Sequence, residues 1–297
     1  MPRVHADLAL RLDYREGYGS RWSPKLGLKW NVVDALTVRG TIATGYRAPT
    51  LFELRRPGVE ENYDFFAYQP EFGQCLDEVT EPGLGTYCQL LRGSTENPDL
   101  EPETSRNYSL GFTAEPTERL RLTADFYLID IDKRILQTGI LKGPAVSQIL
   151  VENGLSPNLA GQYYTNAADT RTKGVDLVAD YSQSFGEYGT AKWSVAYNHN
   201  KTTIRDLADT PAALSRLGAG YVLFDRQQQI DLTKSTPKDK RILSTNYKVG
   251  DWTTNLQLTR FGEYTEGSNI PANDRTYSAK WITDLDVAYD VTQNLTV

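Results

Sequence analysis

Cys75 and Cys88 are the two cysteines of this 297-residue chain, and twelve residues separate them. Thiols so close in sequence can close a local disulfide or begin a metal site. The surrounding stretch holds no histidine, and two thiolates alone are too few to hold zinc. A disulfide in an oxidising compartment is therefore expected, removing about 3 kcal/mol of loop entropy. Asp176 with Asp180, and Asp284 with Asp286, are spaced to share one face of a strand, a spacing that the paired carboxylates of a hydrolase could also use. Such acids recur along the whole chain, however, and a water-lining role accounts for them better. His5 and His199 stand far apart with no cluster around them. No nucleophile–base motif, phosphate loop or metal spacing appears, so no enzyme, cofactor or metal is expected.

Six aromatics, Tyr63, Phe65, Phe66, Tyr68, Phe72 and Tyr87, lie in a polar excursion spanning 46–104. In a water-exposed loop they need a reason, either packing of the loop on itself or stacking on a ligand, and both readings stay open. The same excursion carries twelve acids against four arginines, a net of −8, while 201–240 holds seven Lys/Arg and five Asp, a net of +2. An anionic ligand would prefer a basic cup, and most of these carboxylates read as solvated surface.

The elements that would position these residues are strands. Val4, Ala6, Leu8, Leu10, Leu12 and Tyr14 alternate with His5, Asp7, Ala9, Arg11 and Asp13, and the same period of two recurs at 120–128, 193–198 and 281–289. Helical spacing is confined to "AVSQILVENG" (145–154) and "TPAALSRLG" (210–218). Tight turns at 31–35, 115–119, 185–189, 249–251 and 290–294 alternate with longer stretches at 15–22, 46–104, 132–164, 201–239 and 262–280. Short connections thus fall at one end of an up-and-down meander and long ones at the other. About eleven strands result, many near the roughly 9–11 residues that cross a bilayer when tilted. No run of 18 apolar residues offers a transmembrane helix.

Composition agrees. Eighteen Tyr and five Trp against one Met favour boundaries between apolar and wet regions. Trp30, Trp193, Trp252, Tyr181 and Tyr289 fall at tight-turn ends; Tyr14 and Trp281 fall near long-loop ends. Two aromatic rows with Leu, Val, Ala and Phe between them match the girdles of outer-membrane barrels. Charges on the alternate face would be costly in a dry sandwich but not in a wet lumen. The net charge of −6 argues against a nucleic-acid partner. The expected fold is all-β, an antiparallel up-and-down transmembrane barrel with short periplasmic turns and long extracellular loops.

The stretch "TIATGYRAPTLFEL" (41–54) begins as a strand and breaks at Gly45, Tyr46, Arg47, Ala48 and Pro49. These could touch a ligand or plug; strand termination is the simpler reading, because glycine permits a bend and proline removes a ladder donor. "LTVRGTIATGYRAPTLFEL" (36–54) resembles the barrel signature of TonB-dependent outer-membrane receptors. So, in family order, do "NPDLEPETSRNYSLGF" (97–112), "TNAADTRTKGVDLVADY" (165–181), "TPKDKRILSTNYKVGDWTTNLQLTRFGEY" (236–264) and "WITDLDVAYDVTQNLTV" (281–297).

The resemblance implies a barrel of about 22 strands with a plugged lumen, of which this sequence supplies about half. Measured against that pattern, the 297 residues carry no signal peptide, plug domain, energy-coupling segment or closing strand. They are expected to be a fragment of a larger gene or a broken frame. The implied function is a ligand-gated receptor in the outer membrane of a Gram-negative bacterium. Its partners would be membrane lipid, the TonB energy-coupling complex and an external ferric siderophore, with cobalamin or an oligosaccharide as other cargoes. A soluble β-rich carbohydrate-binding or carbohydrate-active domain, or a passive porin or adhesin barrel, is the alternative.

Overall fold

A computed structural model describes residues 3–54, 58–67, 78–81, 85–94, 97–152, 154, 157, 159–216, 218 and 221–297. The chain runs β1 (Arg3–Arg15), β2 (Gly19–Val33), β3 (Leu36–Arg47), α1 (Leu51–Leu54), β4 (Gly58–Ala67), β5 (Glu78–Glu81), β6 (Gly85–Ser94), β7 (Glu103–Thr117) and β8 (Leu120–Gln137). It continues with α2 (Pro144–Glu152), β9 (Leu159–Gln162), β10 (Tyr164–Ser184), β11 (Thr190–Leu207), α3 (Ala212–Ser215), α4 (Arg226–Thr233) and β12 (Asp239–Val249). The last strands are β13 (Trp252–Phe261), β14 (Tyr264–Glu266), β15 (Arg275–Tyr277), β16 (Lys280–Thr292) and β17 (Leu295–Thr296).

Eleven of these strands form one wall in the order β1-β2-β3-β7-β8-β10-β11-β12-β13-β16-β17, antiparallel throughout, as an up-and-down meander requires. The wall is a partial barrel with β1 and β17 at its edges. Its register keeps like with like. Ala6 faces Leu28 and Leu8 faces Leu26 on one side, while Asp7 faces Gly27 and His5 faces Lys29 on the other. Because side chains alternate, a slip of one residue would exchange the two faces entirely.

Among the described residues nothing forms a second layer over the apolar face. Leu8 is 80% exposed, Leu10 64%, Phe126 52% and Val195 49%, and Leu122 is half-buried only between its strand neighbours. A soluble sandwich would bury these residues against another sheet. Among the described residues no helix is long and apolar enough to cross a membrane.

The tight turns of the sequence reading are turns in the structure, but the long-loop end departs from it in three ways. The stretch 15–22 is not a loop: β1 and β2 join through residues 16–18, with Gly17 at φ 85° and Gly19 at φ 71°. The excursion 46–104 is not simply a loop: β4, β5 and β6 form a separate sheet, extended by β9 from another loop, and β7 starts at Glu103. The stretch 262–280 contains the small β14–β15 hairpin. β9 pairs with β6 over four residues and from a distant part of the chain, which local periodicity cannot reveal. The two helical stretches form α2 and α3, while α4 has no counterpart in the sequence reading.

Candidate functional site

The Gly45–Pro49 corner is built around Arg47. Its Nε and Nη2 donate to the two oxygens of Glu103 at 2.6 and 2.8 Å, and Nη1 reaches both oxygens of Glu53 at 3.0 Å. Glu103 also accepts from the Ile135 amide at 2.7 Å. Thr50 and Glu53 make a reciprocal cap on α1, the Glu53 amide donating to Thr50 Oγ1 at 3.2 Å and the Thr50 amide to Glu53 Oε2 at 2.7 Å. One guanidinium thereby ties the end of β3, helix α1 and the start of β7 together. Ala48 and Pro49 are buried, and among the described residues the buried Tyr46 hydroxyl has no partner. Every guanidinium nitrogen of Arg47 points at a carboxylate, so the corner acts as a brace that ends the strand.

The described parts of the excursion and of the stretches that follow β8 and β11 fold as sheet and helix. Tyr63, Phe65 and Phe66 fall on β4, and Tyr87 and Cys88 on β6, with Phe66 paired to Cys88 and Ala67 to Tyr87 in the backbone register. Tyr68, Phe72 and Cys75 lie outside the described residues, so the expected pairing of Cys75 with Cys88 does too.

Helix α4 anchors a second loop. Asp225 caps it by accepting from the Gln228 amide at 3.2 Å, and the Gln228 side chain accepts from the Asp225 amide at 3.2 Å. This D-x-x-Q box is a signal that the sequence offered. Arg226 forks onto Asp274, Nη1 to Oδ1 at 2.8 Å and Nη2 to Oδ2 at 2.6 Å, and the Ser268 amide adds a third bond at 2.9 Å. The guanidinium is the main reason that the Asp274 carboxyl is held down at about 2. A cavity of about 400 Å³ opens beside the helix, lined by Gln137, Thr138, Gln162, Asp225, Gln228 and Asn269. Gln162 is buried, its amide nitrogen donating to the Thr138 carbonyl at 2.9 Å while its side-chain oxygen has no partner among the described residues.

The polar face of the wall is a hydrogen-bonded lattice. Arg39 on β3 bonds Asp125 on β8 through Nε to Oδ1 at 3.0 Å, and donates to Thr113 at 2.8 Å. Asp176, opposite Asp125, accepts from Asn198, and Asn246 bonds Asn255, which bonds Asp286 at 3.1 Å. The carboxylates that resembled hydrolase pairs sit on this face, Asp176 and Asp286 within its lattice. Near the short turns the face surrounds an open hollow of about 690 Å³ lined by residues such as Arg121, Asp180, Lys192, Ser194 and Asn246. Among the described residues no group of three or more His, Cys, Asp or Glu is placed to hold a metal.

On the apolar face the aromatics gather at both ends. Tyr181 stacks on Trp193 with centroids 5.8 Å apart, and Trp252 meets Tyr289 at 4.7 Å, both as cross-strand partners near the short turns. Trp30 is exposed at that same end, and Tyr14 and Trp281 are exposed at the other. Trp22, 60% exposed and paired with Leu12, joins the second row. The sequence reading missed it because it placed 15–22 in a loop.

Long strands with one bare apolar face and one polar face, short turns at one end and folded loops at the other define the wall of a transmembrane β-barrel. The chain belongs to the TonB-dependent receptor family: the description "TonB dependent receptor-like, beta-barrel" fits residues 1–297. It is 27% identical over 201 residues to an iron-regulated outer membrane virulence protein of Vibrio cholerae, matching 68% of this chain and 26% of that protein. It is 34% identical over 111 residues to the ferric enterobactin receptor of Pseudomonas aeruginosa, matching 37% of this chain and 12% of that one. The chain therefore spans about a quarter or less of the curated relatives it matches. A crystal structure of the Pseudomonas receptor in complex with enterobactin superposes with a TM-score of 0.62 at 17% identity, over 100% of this chain and 37% of that one. The siderophore receptor PirA of Acinetobacter baumannii gives 0.59 at 18% identity, over 98% and 38%.

Proposed function

We propose that this chain forms part of the wall and external vestibule of an outer-membrane receptor that takes up a ferric siderophore in a Gram-negative bacterium, driven by TonB. The support is a single convergence. The relatives over its sequence are named for iron regulation or ferric enterobactin, and its eleven-stranded wall has the two-faced character that a lipid-embedded, water-filled barrel needs. In this reading the two aromatic rows sit at the membrane interfaces, the Gly45–Pro49 corner marks the outer rim, and Tyr63, Phe65, Phe66, Tyr68, Phe72 and Tyr87 serve as ligand contacts. Cys75 and Cys88 form a disulfide in the outermost loop. The protein is a receptor, not an enzyme.

Deleting the gene and measuring uptake of radiolabelled iron from a panel of siderophores under iron limitation tests the proposal. Loss of uptake for one chelator class, restored by the gene, is the expected outcome. Undiminished uptake of every chelator overturns it. The net −8 of the 46–104 excursion favours a second reading, a neutral cargo such as cobalamin or an oligosaccharide, and labelled forms of these belong in the same panel.

A further inference from the structure

Toward the long loops the apolar face changes character on β7, β8, β10 and β11. Across β7, β8, β10 and β11, one register row reads Leu110, Phe126, Val175 and His199. Two residues nearer the long loops the row is Tyr108, Leu128, Lys173 and Lys201, and the next is Arg106, Asp130, Arg171 and Thr203. Cross-strand partners point to the same side, so these cations lie on the side of the wall that carries Leu110 and Phe126.

The carboxylates of this region are already engaged by arginine. Asp130 binds Arg171 at 2.6 Å and Arg205 at 3.6 Å, and Asp132 binds Arg106 at 3.0 Å and Arg205 at 3.3 Å. Lys173 and Lys201 face each other directly, both exposed, and among the described residues neither has a carboxylate within ion-pair distance. Opposed like charges weaken a strand pair, and an anion between them removes the penalty. Directly below, Tyr108, Leu110, Phe126 and Leu128 line an open apolar groove of about 410 Å³ with Lys173 at its upper margin. An apolar trough capped by two unneutralised ammonium groups has the shape and charge of a lipid that carries a phosphate.

We propose that the wall at β7, β8, β10 and β11 holds a phosphate-bearing lipid of the outer leaflet, its acyl chain in the Tyr108–Phe126 groove and its phosphate between Lys173 and Lys201. Lipid is the occupant because the groove is apolar and opens sideways from the wall, a direction from which a soluble anion gains nothing below the lysines. The site rests on the outer-membrane placement proposed above, with the long loops outermost.

The test is to purify the receptor from outer membranes in an uncharged mild detergent and to measure retained lipid phosphate per protein by mass spectrometry. The comparison is with K173Q/K201Q, and with K25Q/K29Q on the opposite face as control. A loss of roughly an order of magnitude in K173Q/K201Q alone is expected. Circular dichroism and heat-dependent gel migration establish that each variant is folded. Equal retention in the wild type and K173Q/K201Q overturns the lipid site. A wild type found outside the outer membrane overturns the placement as well, so the two failures read differently.

Discussion

Arg39 and Asp125 meet across an intervening strand, and Gly111 on β7 is what lets them. Arg39 pairs with Gly111 in the register, Gly111 pairs with Asp125, and the guanidinium passes over the glycine to the carboxylate. A Cβ at Gly111 would strike the Asp125 carboxylate and would sit 2.7 Å from the Ala124 carbonyl.

Gly111→Ala is therefore expected to cost about 1–3 kcal/mol, through overpacking and loss of the pair. Arg39→Gln is expected to cost about 1 kcal/mol, because both partners are partly exposed. Since both changes break the same bridge, the double variant should lose less than the summed costs. Thermal unfolding of the detergent-solubilised protein measures all three, and additivity would rule out the shared bridge.

Arg47→Ala leaves Glu53 and Glu103 unpaired with their side chains only 13% and 14% exposed. A loss of about 2–3 kcal/mol is expected, read from denaturant midpoints. Arg47→Lys should recover less than half, because an ammonium cannot fork onto Glu103 and still reach Glu53. Full recovery by lysine would reduce the corner to a simple charge contact.

The Asp274 clamp predicts a pH dependence confined to the loops. A carboxyl held at about 2 contributes stability that is complete above its ordinary value near 4 and is lost as pH falls from there towards 2. An NMR titration of the Asp274 carboxyl should show that low midpoint. Asp274→Asn should mimic the acid state at neutral pH, raising tryptic cleavage within 262–280 while leaving the wall resistant.

Asp225→Ala removes the cap of a helix only eight residues long and the acceptor for Asn269 at 2.8 Å. A local cost of about 1 kcal/mol is expected, seen as faster amide exchange through Arg226–Thr233. Gly139→Ala should produce the same signature, because its Cβ would lie 2.6 Å from Asp225 Oδ2.

The wall was readable in the sequence because its code is local. Leu8, Leu10 and Leu12 announce a strand without any knowledge of their partners, and the turn between Val33 and Leu36 is marked by the end of that alternation. The 16–18 turn was also written locally, in Gly17 and Gly19, but its position at the long-loop end disguised it. What escaped depends on register or distant pairing. Lys173 and Lys201 are 28 positions apart and become neighbours only once β10 and β11 are aligned. The small sheet above the wall needs β9 to reach β6, and the brace at Arg47 needs Glu103 from beyond the whole excursion.

The parallel β6–β9 ladder, from Leu91 beside Leu159 to Ser94 beside Gln162, has a mechanical meaning. It joins β6 of the 46–104 excursion to β9, which lies between β8 and β10 in the chain, and the bridge of Leu141 with Gly161 fastens β9 a second time. The two stretches therefore share one ladder, and parting them must break its backbone bonds together with the two that join Leu141 and Gly161.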